Sequence, residues 1–254
     1  MFTQRNKETA CGMWSTTYII ALCIVIVLVV VGLILSRHMS HKAVYRTILI
    51  TTIIAILTEI GKMIFIGVTY GIEEVEFLPL YFCSLFMYCG VFACIKKVKW
   101  LETTGLSFLV MGGIIGAIAF FCYPDACIPN YPIYHYMCLR TMLYHGAMIY
   151  IGLLITITGY YKPKAKDFVN YIIALMIIGI LAYIINRCTG QNLMYISRPL
   201  NFAISEAVFN WSPTLYPFIF LILQVTVPFW ASYGIYKLIE YIINKHKEKN
   251  DVHT

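Results

Sequence analysis

The sequence predicts an all-α, polytopic membrane protein, a single bundle of seven transmembrane helices. Composition is the first reason: 60% of the 254 residues are hydrophobic, 12% are charged and the mean hydropathy is +0.77. Soluble domains carry about 25% charged residues. The second reason is a set of seven apolar stretches that approach the roughly 20 residues needed to cross a bilayer. The third is that basic residues concentrate on alternate connections between these stretches.

The seven stretches follow one another with short connections, which predicts one transmembrane domain. They cover residues 18–35, 44–66, 77–95, 101–121, 134–159, 168–185 and 213–239. We expect the first helix to be peripheral and to face lipid, because it has no buried polar groups beyond Thr16 and Thr17 at its start. It is too long for a signal peptide, and no small-x-small cleavage site follows it. Residues 122–133 and 186–212 are predicted to be loops, and residues 244–254 a charged cytoplasmic tail.

The distribution of Lys and Arg predicts the orientation. Thirteen of the 19 basic residues follow the first, third and fifth helices or lie at the C-terminal end, whereas four lie on the opposite side. The positive-inside rule therefore places the N-terminus outside and the C-terminus in the cytoplasm. We attribute the net charge of +7 mainly to this topology. The cytoplasmic lysines also favour anionic lipids, and nothing in the pattern indicates a nucleic-acid partner.

The cysteine and histidine spacings predict neither a metal site nor a cofactor. No CxxC or HExxH motif is present, and these are the spacings that typically hold metal ions. Cys122 and Cys127 bracket a short turn and would form a disulfide in an oxidising compartment. The alternative, two reduced cysteines at the membrane interface, remains equally open.

Polar residues within the apolar stretches predict a site in the outer half of the bilayer. Counted from the basic residues at each cytoplasmic end, Glu59, Cys83 and Gln224 lie about 20 Å from the inner boundary, and His145 lies roughly 26 Å from it. Ionisable residues at membrane depth usually face the bundle interior and mark functional sites. Four helices would therefore place one polar layer at similar height.

The chemistry of this layer points to a cysteine nucleophile. A histidine that takes the proton of a cysteine makes it strongly nucleophilic, so Cys83 and His145 are the candidate catalytic pair. Glu59 is a candidate for orienting the His145 ring, with Lys62 and Gln224 in support. The structural alternatives are a Glu59–Lys62 ion pair on one helix face and a His145 that only bonds across helices.

Three further residues are candidates for binding a lipid headgroup. Arg140 is near the outer end of the fifth helix, where a guanidinium would hold a phosphate bidentately; its alternative is snorkelling to the interface. Asn192 and Arg198 lie in the outer loop that follows the sixth helix, where ordinary loop structure is the alternative.

Several segments resemble a known family. Leu78-Pro-Leu-Tyr-Phe-Cys-Ser84 resembles the Leu-Pro-Leu-His-Leu-Cys signature of YwaF-type bacterial integral membrane proteins, and His145 matches the His of their fifth helix. Residues 192–199 and 211–216 are similar to the Asn-Tyr-Met-Tyr-Leu-x-x-Pro and Trp-Pro-x-Tyr stretches of the same family. The likeness covers helices two to seven. Tyr81 replaces the family His two residues before the Cys, and Ser212 interrupts the Trp-Pro pair.

The YwaF-type proteins are similar to the eukaryotic transmembrane protein 164 group, integral-membrane acyltransferases that remodel ether phospholipids. The resemblance implies acyl transfer or acyl hydrolysis on membrane phospholipids, through an acyl intermediate on Cys83 with His145 as base and then acid. It also implies a multi-pass protein of a bacterial cell membrane. The alternative function is a non-catalytic protein that binds or transports a small solute with the same polar layer.

Overall fold

A computed structural model describes residue 2 and residues 4–74, 77–125, 127–200 and 203–251, and these residues form helices and no strand. Within them we number the helices α1 (Thr16–Ser36), α2 (His41–Thr69), α3 (Leu85–Cys94), α4 (Lys99–Cys122), α5 (Tyr136–Ile157), α6 (Ala165–Thr189), α7 (Ala203–Trp211) and α8 (Tyr216–Asp251). In this part of the chain, six helices are long and apolar enough to cross a membrane, all except α3 and α7. The chain is therefore a helical membrane protein.

Serine caps define the first two helices. The Ser15 side chain accepts a hydrogen bond from the Tyr18 amide at the start of α1, and the Ser40 side chain accepts one from the Ala43 amide at the start of α2. Such caps satisfy amide groups that have no partner within the helix. Only 11% of the most apolar part of α1 is buried in the protein, and α1 packs mainly against α5. The predicted peripheral position of the first helix agrees with this packing.

The third predicted helix is shorter than residues 77–95. The structure has turns up to Ser84 and a helix only over Leu85–Cys94, so the helical prediction for 77–84 is wrong. Pro79 accounts for the absence of a helix up to residue 78, because proline has no amide hydrogen and disfavours helical geometry in the residue before it. It does not account for the turns at residues 80–84. Non-helical backbone at membrane depth occurs where protein buries it or where it lines a cavity.

The helix α4 contains a wider turn that changes its register. Residues Phe108–Gly112 form a π-helical turn between two α-helical halves. The Ser232 hydroxyl of α8 donates a hydrogen bond of 2.7 Å to the Met111 carbonyl in this turn. Gly105, in the first half, lies directly against the backbone of Cys89 and Ala93 in α3. The two halves thus face different neighbours: α3 and α6 first, then α5 and α8.

Two segments that were predicted to be irregular contain helices. Residues 186–212 are not only a loop, because they contain the end of α6, a short turn at Leu193–Tyr195 and the helix α7. This helix ends at Trp211, two residues before Pro213, as expected where proline disfavours helical geometry. The predicted tail of 244–254 continues α8 as far as Asp251, and residues 252–254 lie outside the described residues. No disulfide occurs among the cysteines of the described chain, and Cys122 is exposed.

Candidate functional site

One cavity of about 890 Å³ lies between α2, α4, α5, α8 and the segment before α3. It is lined by six of the predicted site residues: Cys83, His145, Lys62, Gln224, Arg140 and Asn192. Two predicted residues are not in its wall: Glu59, which contacts Lys62 and Arg140 directly, and Arg198. Residues on separate segments of the chain therefore surround a common space.

The backbone around Cys83 is held from two sides. Its carbonyl accepts hydrogen bonds from the Phe86 amide (3.0 Å) and from the Tyr144 hydroxyl of α5 (3.1 Å). The preceding residue, Phe82, lies against Gly116 of α4: a Cβ atom at position 116 would come within 2.8 Å of the Phe82 ring. The turn that breaks the helical prediction is thus the segment that presents Cys83 to the cavity.

The ring of His145 is fixed by one hydrogen bond and one stacking contact. Its Nδ1 atom lies 2.8 Å from the Thr141 carbonyl, one turn earlier in α5. Because a carbonyl only accepts hydrogen bonds, Nδ1 carries the hydrogen, and in the neutral ring Nε2 then has the free lone pair. The Phe120 ring stacks on His145 with centroids 3.9 Å apart. This arrangement suits a general base that acts through Nε2.

Cys83 and His145 share the cavity without a direct bond. Among the interactions of the described residues, no hydrogen bond joins the Cys83 thiol to the His145 ring. Catalytic hydrogen bonds commonly tighten only when substrate is bound. The Lys62 side chain lines the same cavity from α2. The geometry can therefore seat a reacting group between a thiol, an imidazole and a cation.

A buried charge cluster adjoins this pair. The Glu59 carboxylate contacts the Lys62 ammonium on the same helix and the Arg140 guanidinium on α5. Arg140 also lies over the Tyr144 ring, 4.7 Å from its centroid. The Glu59–Lys62 ion pair is the structural alternative that their spacing predicts. Glu59 makes no contact with His145 that would orient its ring, because its carboxylate is engaged by the two cations.

The remaining predicted residues hold the loop that follows α6. The Gln224 amide donates to the Met194 carbonyl (2.7 Å), and its own side-chain oxygen is buried with no hydrogen-bond partner among the described residues. The Asn192 oxygen accepts from the amides of Ser197 and Arg198, and its nitrogen donates to the Arg198 carbonyl. The Arg198 guanidinium donates to the Gly190 carbonyl (2.8 Å). Asn192 and Arg198 therefore close a loop over the cavity.

Several residues of the site could not be predicted from the sequence. Tyr144 donates a hydrogen bond to the Cys83 carbonyl, and Thr141 and Phe120 hold the His145 ring, but nothing in an apolar helical sequence marks these three residues as contacts. Asp125, from the loop between α4 and α5, lines the cavity as well. Met194 has a positive φ of 55°, which is uncommon for a residue with a side chain. These residues reach the site because of how the helices are rotated and how the loops fold. Neither can be predicted from the depth of a residue in the membrane.

These features define a class, the helical membrane proteins that enclose a cavity with apolar and polar wall residues within the bundle. The chain belongs to the TMEM164 family, whose family model matches residues 13–233. The match includes every residue that lines the cavity. No curated protein and no solved structure matches the chain.

Proposed function

We propose that this protein transfers or hydrolyses fatty-acyl chains of membrane lipids through a thioester on Cys83, with His145 as general base and acid. The observation that carries the proposal is that both side chains line one large cavity. Much of the wall is apolar, including Ile115, Phe120 and Phe220. Its volume falls within the range of sites that bury small ligands.

The chemistry needs only the groups in this wall. Nε2 of His145 takes the thiol proton as Cys83 Sγ attacks the carbonyl carbon of a lipid ester. The tetrahedral intermediate then expels the alcohol oxygen, which takes the proton from His145, and the acyl chain remains on Cys83. In the second half, an acceptor hydroxyl or a water gives its proton to His145 and attacks the thioester. The proton returns to the Cys83 sulfur as the product leaves.

The proposal also includes the membrane topology of the protein and its bacterial origin. Adding α3 and the segment before it to the six long helices makes seven crossings, with the N-terminus outside and the C-terminus in the cytoplasm. The site then lies in the outer half of the bilayer. The resemblance to YwaF-type proteins supports a bacterial cell membrane.

The test is acyl transfer in reconstituted vesicles. The protein is mixed with a phospholipid carrying an isotope-labelled acyl chain and a lysophospholipid acceptor, and labelled products are measured by mass spectrometry. We expect transfer or labelled free fatty acid with the wild type and background levels with Cys83→Ala. With His145→Ala we expect a loss of about 10²- to 10⁴-fold, the usual contribution of a general base.

Cys89→Ala is the matched control, because Cys89 is buried in α3 and does not line the cavity. It should retain transfer. A wild-type protein that neither transfers nor releases acyl chains would contradict the proposal and favour non-catalytic solute binding in the same cavity.

A further inference from the structure

Hydrogen bonds hold the loop that follows α6 in place at the predicted outer end of the cavity. The Gln224 side chain donates to the Met194 carbonyl (2.7 Å), and the Tyr216 hydroxyl donates to the Tyr195 carbonyl (3.1 Å). Met194 and Tyr195 both line the cavity. The start of α8 therefore ties this loop down over one part of the outer end.

A second loop is fixed at the same end by the N-terminal segment. The Asn6 amide donates to the Asn130 carbonyl (3.0 Å), and the Cys11 amide donates to the Tyr131 carbonyl (2.9 Å). Asn130 lines the cavity together with Cys127. An entry route through either loop would require such bonds to break.

The side of the cavity between α4 and α8 is tied at one level only. The Ser232 hydroxyl of α8 bonds the Met111 carbonyl in the π-helical turn, and no further hydrogen bond, ion pair or ring contact joins α4 to α8 among the described residues. Beyond this turn, α4 packs mainly against α5. The outer part of α8 packs against α6, where the Phe218 and Tyr183 rings lie 5.8 Å apart. The two helices therefore have different partners toward the predicted outer end.

Both helices also have a feature that favours a change of direction at this level. The π-helical turn interrupts α4, and Pro228 inside α8 lacks the amide hydrogen that would bond the Gln224 carbonyl. Prolines and π-helical turns are common causes of bends in helices. The cavity residues of the two helices all lie on the predicted outer side of the Met111–Ser232 bond: Ile115, Gly116, Ala119, Phe120, Phe220, Gln224 and Pro228. The cavity therefore occupies the space between α4 and α8 beyond their hydrogen bond.

The protein surface beside this space is apolar. Ile118 in α4 is 44% exposed, and Ile222 in α8 is 55% exposed. Ala119, next to Ile118, is exposed as well and lines the cavity. Exposed apolar side chains on a membrane-spanning helix face the hydrocarbon of the bilayer. An acyl chain that enters here stays among apolar groups, whereas entry from water would expose it, which is unfavourable in proportion to its apolar area.

We infer that the acyl chain of a membrane lipid reaches Cys83 sideways from the bilayer, through a lateral opening between the second half of α4 and the outer part of α8. Ala119 lies at the α4 rim of this lateral opening and Phe220 at the α8 rim. The inference rests on the proposed acyl transfer and adds the route by which the chain arrives. The two loops at the outer end stay in place as it enters.

The experiment measures alkylation of the Cys83 thiol, which requires access but no acyl transfer. A protein with Cys83 as its only cysteine is reconstituted in vesicles. It is treated with N-hexadecylmaleimide, which partitions into the bilayer, with the small N-ethylmaleimide, or with a charged maleimide that stays in water. The mass of the intact protein gives each rate. We expect the charged reagent to react far more slowly than N-ethylmaleimide, because the fixed loops close the route from water.

Ala119→Trp narrows the lateral opening. We expect it to slow N-hexadecylmaleimide roughly tenfold or more, because an indole fills a gap between closely packed helices. N-ethylmaleimide should react with this variant almost as fast as before, which shows that the space around Cys83 is not filled. Because Ala119 is exposed, the larger side chain displaces no buried group and the fold should persist.

Ile118→Trp is the matched control. Ile118 is the neighbouring residue, is exposed and does not line the cavity, so its substitution should leave all three rates unchanged. An unchanged rate for N-hexadecylmaleimide in Ala119→Trp, or equal slowing of N-ethylmaleimide, would overturn the inference. Reaction of the charged reagent as fast as N-ethylmaleimide would place the route at the loops and overturn it as well.

Failure of this route and failure of the proposed function give different results. Acyl transfer in vesicles that Ala119→Trp leaves unchanged would refute only the lateral opening. Alkylation of Cys83 that Ala119→Trp slows, in a protein that transfers and releases no acyl chains, would refute only the proposed function.

Discussion

At the residue scale, the position of Cys83 depends on contacts made by its neighbours. Phe82 lies against Gly116, and the Cys83 carbonyl is bonded by Tyr144. Glycine at position 116 is required by space rather than by backbone conformation, because a side chain there would meet the Phe82 ring. A change at position 116 should therefore move Cys83 without contacting it directly.

Gly116→Ala tests this contact. The new methyl group would lie 2.8 Å from a Phe82 ring atom, closer than such atoms approach in folded proteins. We expect destabilisation of about 1–3 kcal/mol, as for overpacking in a close-packed core, and slower acyl transfer because Cys83 shifts with Phe82. Thermal unfolding in detergent and the vesicle transfer assay measure the two effects.

Gly234→Ala is the matched control for that substitution. Gly234 lies in α8 with no atom near its added Cβ, so alanine should stabilise the helix by about 0.5–1 kcal/mol. If Gly116→Ala were as stable and as active as Gly234→Ala, the contact with Phe82 would not position Cys83.

The sequence predicts which site residues lie at a similar depth in the membrane, but not which of them are in contact. Counting residues from the basic ends of the predicted helices placed Cys83, His145 and Gln224 at similar heights. All three line one cavity. The spacing of three also predicted the Glu59–Lys62 contact. The approach of Arg140 to Glu59 could not be predicted, because it depends on how α5 is rotated against α2.

At the element scale, the informative departures from regular helices lie around the cavity. Pro79 indicated a break in the helix predicted for residues 77–95. The apolar residues on both sides of Pro79 nevertheless favoured one helix of transmembrane length. The π-helical turn Phe108–Gly112 carried no signal, since its residues would also suit an α-helix. Such turns are frequent at functional sites. Here the turn precedes the wall residues Ile115, Gly116 and Phe120.

At the scale of the whole molecule, apolar length and composition were enough to predict an all-helical membrane protein. The long helices agree with this prediction, and the exposed surfaces of α1, α6 and α8 are largely apolar. Their order and the shared cavity depend on packing between helices that are distant in sequence. The number of crossings and the orientation remain predictions from the basic residues.

Cysteine labelling in intact cells tests the orientation. Cys188 is exposed near the end of α6, on the predicted outer side, and Lys166 is exposed on the predicted cytoplasmic side. With Cys188 kept as the single cysteine, an impermeant maleimide should react without permeabilisation. A cysteine-free protein carrying Lys166→Cys should react only after permeabilisation, and the reverse pattern would invert the proposed topology.

The mass of the intact protein shows directly whether Cys83 carries the acyl chain. The purified protein is incubated with a phospholipid donor in the absence of an acceptor and then analysed by mass spectrometry with peptide mapping. We expect one acyl adduct on Cys83 that hydroxylamine removes, that is absent in Cys83→Ala and that forms far more slowly in His145→Ala. Acyl transfer with no adduct on Cys83, or an adduct that forms equally well without His145, would contradict it.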